Sequence, residues 1–207
     1  AILTGADLTY TGLANANLSE VDLTGTILTG ADLSNTILTN VDLSEKDLSY
    51  TNFYGANLSN TDLSFSDLTN SVLADVDLTN TNLEGAILTG ADLSNTILTN
   101  VDLSNKDLTG TKLTNVDLSN KDLTGTKLPN VDLSGADLSG KDLSYTNFYG
   151  ANLSNTDLSF SDLTNSVLAN ADLTNTNLEG TILTGADLTY TGLANVDLSG
   201  RDLTGTI

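Results

Sequence analysis

Leucine or phenylalanine stands at every fifth residue from Leu3 to Leu203 without a break, so the chain is one short motif copied end to end. Cut from Ala1, it yields 41 whole pentads of the form (Ala/Thr/Val/Lys/Ser)-(Asp/Asn)-Leu-(Ser/Thr)-(Gly/Asn), and Thr206-Ile207 remains. Five residues fit neither the helix period of about 3.6 residues nor plain strand alternation, so something must turn the chain once per pentad.

The fifth position supplies the turn. It is Gly in 15 pentads and Asn in 17, as at Gly25, Gly30, Asn35 and Asn40. Both residues tolerate the positive φ that a type II turn demands at its third position. Pro129-Asn130 makes the same point, because proline favours the second turn position and asparagine the third. Each pentad therefore reads as a very short strand followed by a corner.

Alternation along the strand sends the central leucine inward and its two neighbours outward, and points the first position inward again. The position before leucine is Asp or Asn in 29 of the 41 pentads, and the one after it is Ser or Thr in 32. Small residues such as Ala6, Ala31, Thr51 and Ala151 fill the remaining inward place. The expected core is a stack that includes Leu3, Leu23, Leu43, Phe53, Leu63, Leu103, Leu123, Phe148, Leu163 and Leu203. The expected turn residues include Gly25, Gly30, Asn35, Pro129 and Asn130.

Pentads such as Ala6-Asp7-Leu8-Thr9-Tyr10, Ala56-Asn57-Leu58-Ser59-Asn60 and Ala151-Asn152-Leu153-Ser154-Asn155 resemble the pentapeptide-repeat family, whose motif is A(D/N)LXX. The resemblance covers the whole chain. It implies an all-β fold, a right-handed quadrilateral parallel β-helix with four pentads per square coil, whereas pentad length alone also permits three or five sides. Residues 1–207 would then form a single solenoid domain of about ten coils of 20 residues, about 50 Å long at the usual strand spacing. Stability would be a sum of similar neighbour terms, with each buried leucine contributing roughly 1.5–3 kcal/mol.

Composition narrows the function. Seven Lys+Arg against 27 Asp+Glu leave a formal charge of -20, which argues against direct nucleic acid binding and against anionic membrane surfaces. Histidine and cysteine are both absent, so the commonest zinc ligands, the easiest general base and any disulfide framework are missing. No catalytic, cofactor-binding or metal-ligating residue stands out, and no enzyme and no cofactor are expected. The longest apolar runs are too short for a membrane span or a signal peptide. The chain holds no methionine, so Ala1 is not expected to be a translation start.

Several pentads depart from the pattern. Lys46, Lys106, Lys121, Lys141 and Arg201 occupy the inward first position, where a buried charge is costly, so either these side chains snorkel out at a corner or the coil is distorted. Each precedes an aspartate, and charge compensation within an acidic ladder is the simplest account of them. Ile2, Ile27, Ile37, Val72, Ile87, Ile97, Val167 and Ile182 stand at outward positions, spread over several faces. Asp102, Asp122, Asp142 and Asp162 would stack on successive coils about 5 Å apart and gather a diffuse cloud of cations. No calcium loop accompanies them. The passage Lys46 to Leu93, with aromatics at Tyr50, Phe53, Tyr54 and Phe65, recurs as Lys141 to Leu188 with three substitutions (Asp75/Asn170, Val76/Ala171, Ala86/Thr181). The offset of 95 residues suggests lengthening of an array.

Neither terminus carries a helix, plug or dimerisation segment, so no caps are expected and the chain reads as a segment of a longer array or as a rod that stacks end to end. The function expected first is a structural or interaction rod, self-associating into a filament or built into a large repeat protein. A filament would suit an extracellular or cell-surface setting. The alternative rests on the resemblance: some family members mimic duplex DNA and occupy the DNA site of a topoisomerase such as gyrase. Ice binding through Thr4, Thr24, Ser44 and Ser64 fits poorly, because the flanking aspartates hydrate that face.

Overall fold

A computed structural model describes residues 3–118, 120–123 and 125–207; Ile2 lies outside them. The chain forms two compact units, Ala1–Asp102 and Leu103–Ile207. In the first unit, parallel bridges run from Asp7↔Ile27 through Asp42↔Asp62 to Asp77↔Ile97. In the second they run from Asp107↔Lys127 through Asp142↔Asp162 to Asp172↔Gly192. Each bridge joins second-position residues twenty apart, so four pentads complete one turn of the coil.

An interior pentad whose second residue is Asp or Asn accounts for all five of its backbone N–H groups, and this accounting explains the residue pattern. The leucine amide donates to the second-position carbonyl one coil on, as Leu8 to Ile27 (2.9 Å) and Leu133 to Asn152 (2.8 Å). The second-position amide donates backward to the first-position carbonyl of the coil before, as Ile27 to Ala6 (3.0 Å) and Asn152 to Val131 (2.9 Å). At the corner, the fifth-position amide donates to the next coil, as Gly5 to Thr24 (2.9 Å), and the following amide closes the turn, as Ala6 to Leu3 (2.9 Å). Only the fourth-position amide finds no carbonyl. The Asp or Asn two residues earlier receives it instead, as Thr9 to Asp7 Oδ1 (3.0 Å) and Ser154 to Asn152 Oδ1 (3.1 Å).

Every described fifth-position residue whose φ is recorded lies in the left-handed region, from Tyr10 at 53° to Gly135 at 74°. Gly and Asn suit that conformation, but Tyr, Phe, Glu and Asp also hold it, which costs roughly 1–2 kcal/mol at each such corner. Inside each unit the leucines stack against the small first-position residues. Phe53 in the first unit and Phe148 in the second are the largest wholly buried side chains.

First-position threonines are buried without leaving their hydroxyls idle. Thr36 donates to Leu33 O within its own turn (2.6 Å), whereas Thr61 donates to Leu38 O on the preceding coil (3.0 Å). Outside the core, fifth-position asparagines form an amide ladder along a corner of each unit. Asn80 donates to Asn60 (3.0 Å) and Asn100 to Asn80 (2.8 Å) in the first unit. Asn175 donates to Asn155 (3.2 Å) and Asn195 to Asn175 (2.9 Å) in the second.

Candidate functional site

Leu23, Leu43, Phe53, Leu63, Leu103, Leu123, Phe148 and Leu163 are all buried. Two residues read as core from the sequence differ: Leu3 is half-buried and Leu203 is 39% exposed. Each sits in an outermost coil that stacks on a single neighbour in this structure. Leu8 and Leu13 beside the one, and Leu188, Leu193 and Leu198 beside the other, are half-buried for the same reason. The turn residues Gly25, Gly30, Asn35 and Asn130 have φ of 69°, 66°, 54° and 55°. Pro129 lacks an N–H, loses nothing by sitting at the fourth position, and accepts from Gly110 N–H through its carbonyl (3.0 Å).

The outward carboxylates are oriented rather than loose. Asp42 Oδ1 accepts from both the backbone N–H (2.9 Å) and the hydroxyl (2.6 Å) of Ser44, and Asp142 is held in the same way by Ser144. The hydroxyl two residues on, and then the backbone amide, hold Asp7, Asp22, Asp42 and Asp142 below the usual aspartate range. The opposite shift occurs at Tyr54, where a hydrogen bond to Asp75 and its charge raise the phenol. In the duplicate passage Asn170 replaces that aspartate.

The inward lysines mimic threonine with a longer reach. Lys46 Nζ donates to Leu23 O (2.8 Å), spanning the same 23 residues as the bond from Thr51 to Leu28 O, and Lys141 Nζ donates to Lys121 O (2.9 Å). Both side chains are half-buried, so of the two outcomes expected from sequence the corner route applies to them. A true ion pair forms elsewhere, on an outward column, between Lys127 and Asp107 at 3.2 Å.

One surface constellation is built twice. In the first unit, bridges set Asp47, Asp67 and Ile87 in an outward column on three successive coils. Phe65 stands at the corner on one side of that column and Tyr50 at the corner on the other. In the second unit Asp142, Asp162 and Ile182 form the column, with Phe160 and Tyr145 at the corners. All four aromatic side chains are exposed, and all four hold positive φ, between 57° and 59°. Phe65 lies against Gly85 on the next coil, so close that a Cβ there would meet the ring at 2.4 Å, and Phe160 lies equally close to Gly180. The duplication was visible in the sequence, but this grouping was not, because it depends on which corner faces which column.

Of the other outward apolar residues, Ile37 and Ile97 stand on one column three coils apart and Ile27 on the column of Asp7, each about half-exposed. The surface depressions are shallow, for example one of about 340 Å³ beside Lys46. Among the described residues no group of three or more acidic side chains is placed to hold a metal ion, and no helix is long and apolar enough to cross a membrane.

The family model for pentapeptide repeats matches in eight copies that together cover residues 1–105 and 107–205. Among solved structures, the chain is similar to HetL, a pentapeptide repeat protein involved in heterocyst differentiation regulation in the cyanobacterium Nostoc. That match has 33% identity over 99% of this chain and 79% of HetL, with a TM-score of 0.38. It is also similar to QnrB1, a plasmid-mediated fluoroquinolone resistance protein, at 18% identity over 95% of this chain and 88% of that one, with a TM-score of 0.44. A pentapeptide repeat protein of the Arabidopsis thaliana thylakoid lumen matches at 25% identity over 70% of each chain, with a TM-score of 0.22. No curated protein sequence matches. With its pentads in register from end to end and the family model matched along nearly all of its length, the chain belongs to the pentapeptide-repeat family.

Proposed function

We propose that this chain is a non-enzymatic structural and interaction rod, a right-handed quadrilateral β-helix of about ten coils in which residues 1–207 act as one domain. In this reading its outermost coils add to further repeat surfaces, either a second copy stacked end to end or more of a longer array. The observation that carries it is the incompletely buried leucine layer at the outer coils, Leu3, Leu8 and Leu13 at one and Leu188, Leu193, Leu198 and Leu203 at the other. Covering such leucines is favourable, and the open backbone of an end coil has the same donors and acceptors as any interior coil. Electron microscopy and sedimentation across a concentration series test the proposal. Filaments or lengthening particles are expected, shortened by Leu203→Asp, and discrete monomers at high concentration would refute end-to-end growth.

A second reading, an acidic mimic of DNA that occupies a topoisomerase, is favoured by one observation. Asp42 and Asp62, like Asp142 and Asp162, are bridged on successive coils, and the hydroxyl and amide of Ser44 and Ser144 hold the Asp42 and Asp142 carboxylates in place, so each pair is an oriented step of negative charge. A gyrase supercoiling assay at low salt separates the readings. Inhibition by the added chain is required by the second and by nothing in the first.

A further inference from the structure

We propose that the twin aromatic faces, Phe65–Tyr50 around Asp47, Asp67 and Ile87, and Phe160–Tyr145 around Asp142, Asp162 and Ile182, each dock an extended basic segment of a partner protein. This goes beyond the rod reading, because it uses the sides of the coils rather than their ends.

Four bulky rings are held in the left-handed backbone region, where Gly or Asn would sit without that cost, and all four are exposed, from 59% at Phe65 to 76% at Tyr145. Folding gains little from them there. Ile87 and Ile182, at 48% and 46% exposed, extend the same apolar patches on the coil above the carboxylates.

Charge complementarity selects the occupant. Asp47 and Asp67 are bridged partners on adjacent coils, as are Asp142 and Asp162, so their backbones lie about 4.8 Å apart and their carboxylates stand side by side on one column. Each is anchored through Oδ1 by a backbone amide: Asp47 by Ser49 (3.0 Å), Asp67 by Thr69 (2.9 Å), Asp142 by Ser144 (3.1 Å) and Asp162 by Thr164 (2.9 Å). The nearest lysines are engaged elsewhere, Lys46 on Leu23 O and Lys141 on Lys121 O. On the Asp107 column, by contrast, the next coil supplies Lys127 and the ladder neutralises itself. An arginine or lysine laid on the face would place its cationic head over the stacked pair and its alkyl stem on isoleucine. A phenylalanine or tyrosine ring at either corner then offers its face to the cation. A second copy of this chain is a poor occupant, because its own net charge is -20.

The test is calorimetric titration of the full chain with a peptide of about eight residues in which arginine alternates with alanine, so that an extended backbone presents its arginines on one side. Two peptides per chain are expected. The paired substitution Phe65→Asn/Phe160→Asn keeps residues suited to the corner φ and is expected to weaken binding about tenfold, as is Asp67→Asn/Asp162→Asn. Asp77→Asn/Asp172→Asn removes the same charge from another face and is expected to change affinity by less than about threefold. Three results would overturn the proposal: no binding, equal binding by the phenylalanine variant (general acidity alone), or self-association of the wild-type chain that the phenylalanine variant abolishes. Leu203→Asp should leave peptide binding intact, which separates this test from that of end-to-end growth.

Discussion

Replacing Gly180 by alanine perturbs two things at once, and the structure allows them to be separated. The residue holds φ +67°, so any Cβ costs about 1 kcal/mol of backbone strain. The added methyl would also lie 2.4 Å from Cδ1 and 2.7 Å from Cε1 of Phe160, which must move. Overpacking of a core costs about 1–3 kcal/mol, and because the Phe160 ring is two-thirds exposed and can swing outward, the low end applies. Gly180→Ala should therefore cost about 2 kcal/mol in all. Gly140 provides the control at the same corner: its φ is +66°, but nothing lies within 4 Å of its added Cβ. Gly140→Ala should cost only about 1 kcal/mol. Equilibrium urea denaturation followed by far-ultraviolet circular dichroism measures both. In a Phe160→Gly background the extra cost at Gly180 should vanish, giving a coupling energy of about 1 kcal/mol. Equal losses for Gly140→Ala and Gly180→Ala in the native background would refute the argument that the ring decides the difference.

Lys46→Thr should change stability by less than about 0.5 kcal/mol, since threonine at this position can donate to Leu23 O as Thr51 does to Leu28 O; thermal melts check it. Ser166 Oγ is buried without a partner, so Ser166→Ala should be neutral or stabilising by about 1 kcal/mol, whereas Ser161→Ala, which removes a 2.7 Å bond to Leu158 O, should destabilise by about as much. The lowered aspartates, among them Asp42 and Asp142, have folded-state pKa values below the unfolded value of about 3.9, so their contribution is present above that pH and lost as pH falls through the folded values. With mutual repulsion screened by about 0.5 M NaCl, the urea midpoint should fall between about pH 5 and pH 2.5, and a rise would contradict the hydrogen-bond account.

The register of the fold was legible because its cause is local. A leucine every fifth residue and a Gly or Asn at the corner are steric statements about single pentads, and Pro129-Asn130 alone nearly dictates its turn. Two things were hidden. The role of Asp42 or Asn152 as acceptor for the amide two residues on could have been suspected, since Asx turns are common and that amide lacks a carbonyl, but alternation said only that the side chain points outward. The left-handed corners at Tyr50, Phe65, Tyr145 and Phe160 run against residue preference, and the neighbouring coils override it. The candidate face needed three dimensions, because Phe65 and Tyr50 flank the Asp67 column only once the twenty-residue turn is known.

Among the described residues, the backbone hydrogen bonds join each pentad to itself and to the coil on either side, one layer at a time. Tension applied along a unit would thus meet the same resistance at every layer. The chain should peel as yarn leaves a spool, in even steps of about 60 Å, twenty extended residues less the thickness of the layer they leave. A molecule built in this way would lose its length gradually under load, and each layer released would leave the rest standing.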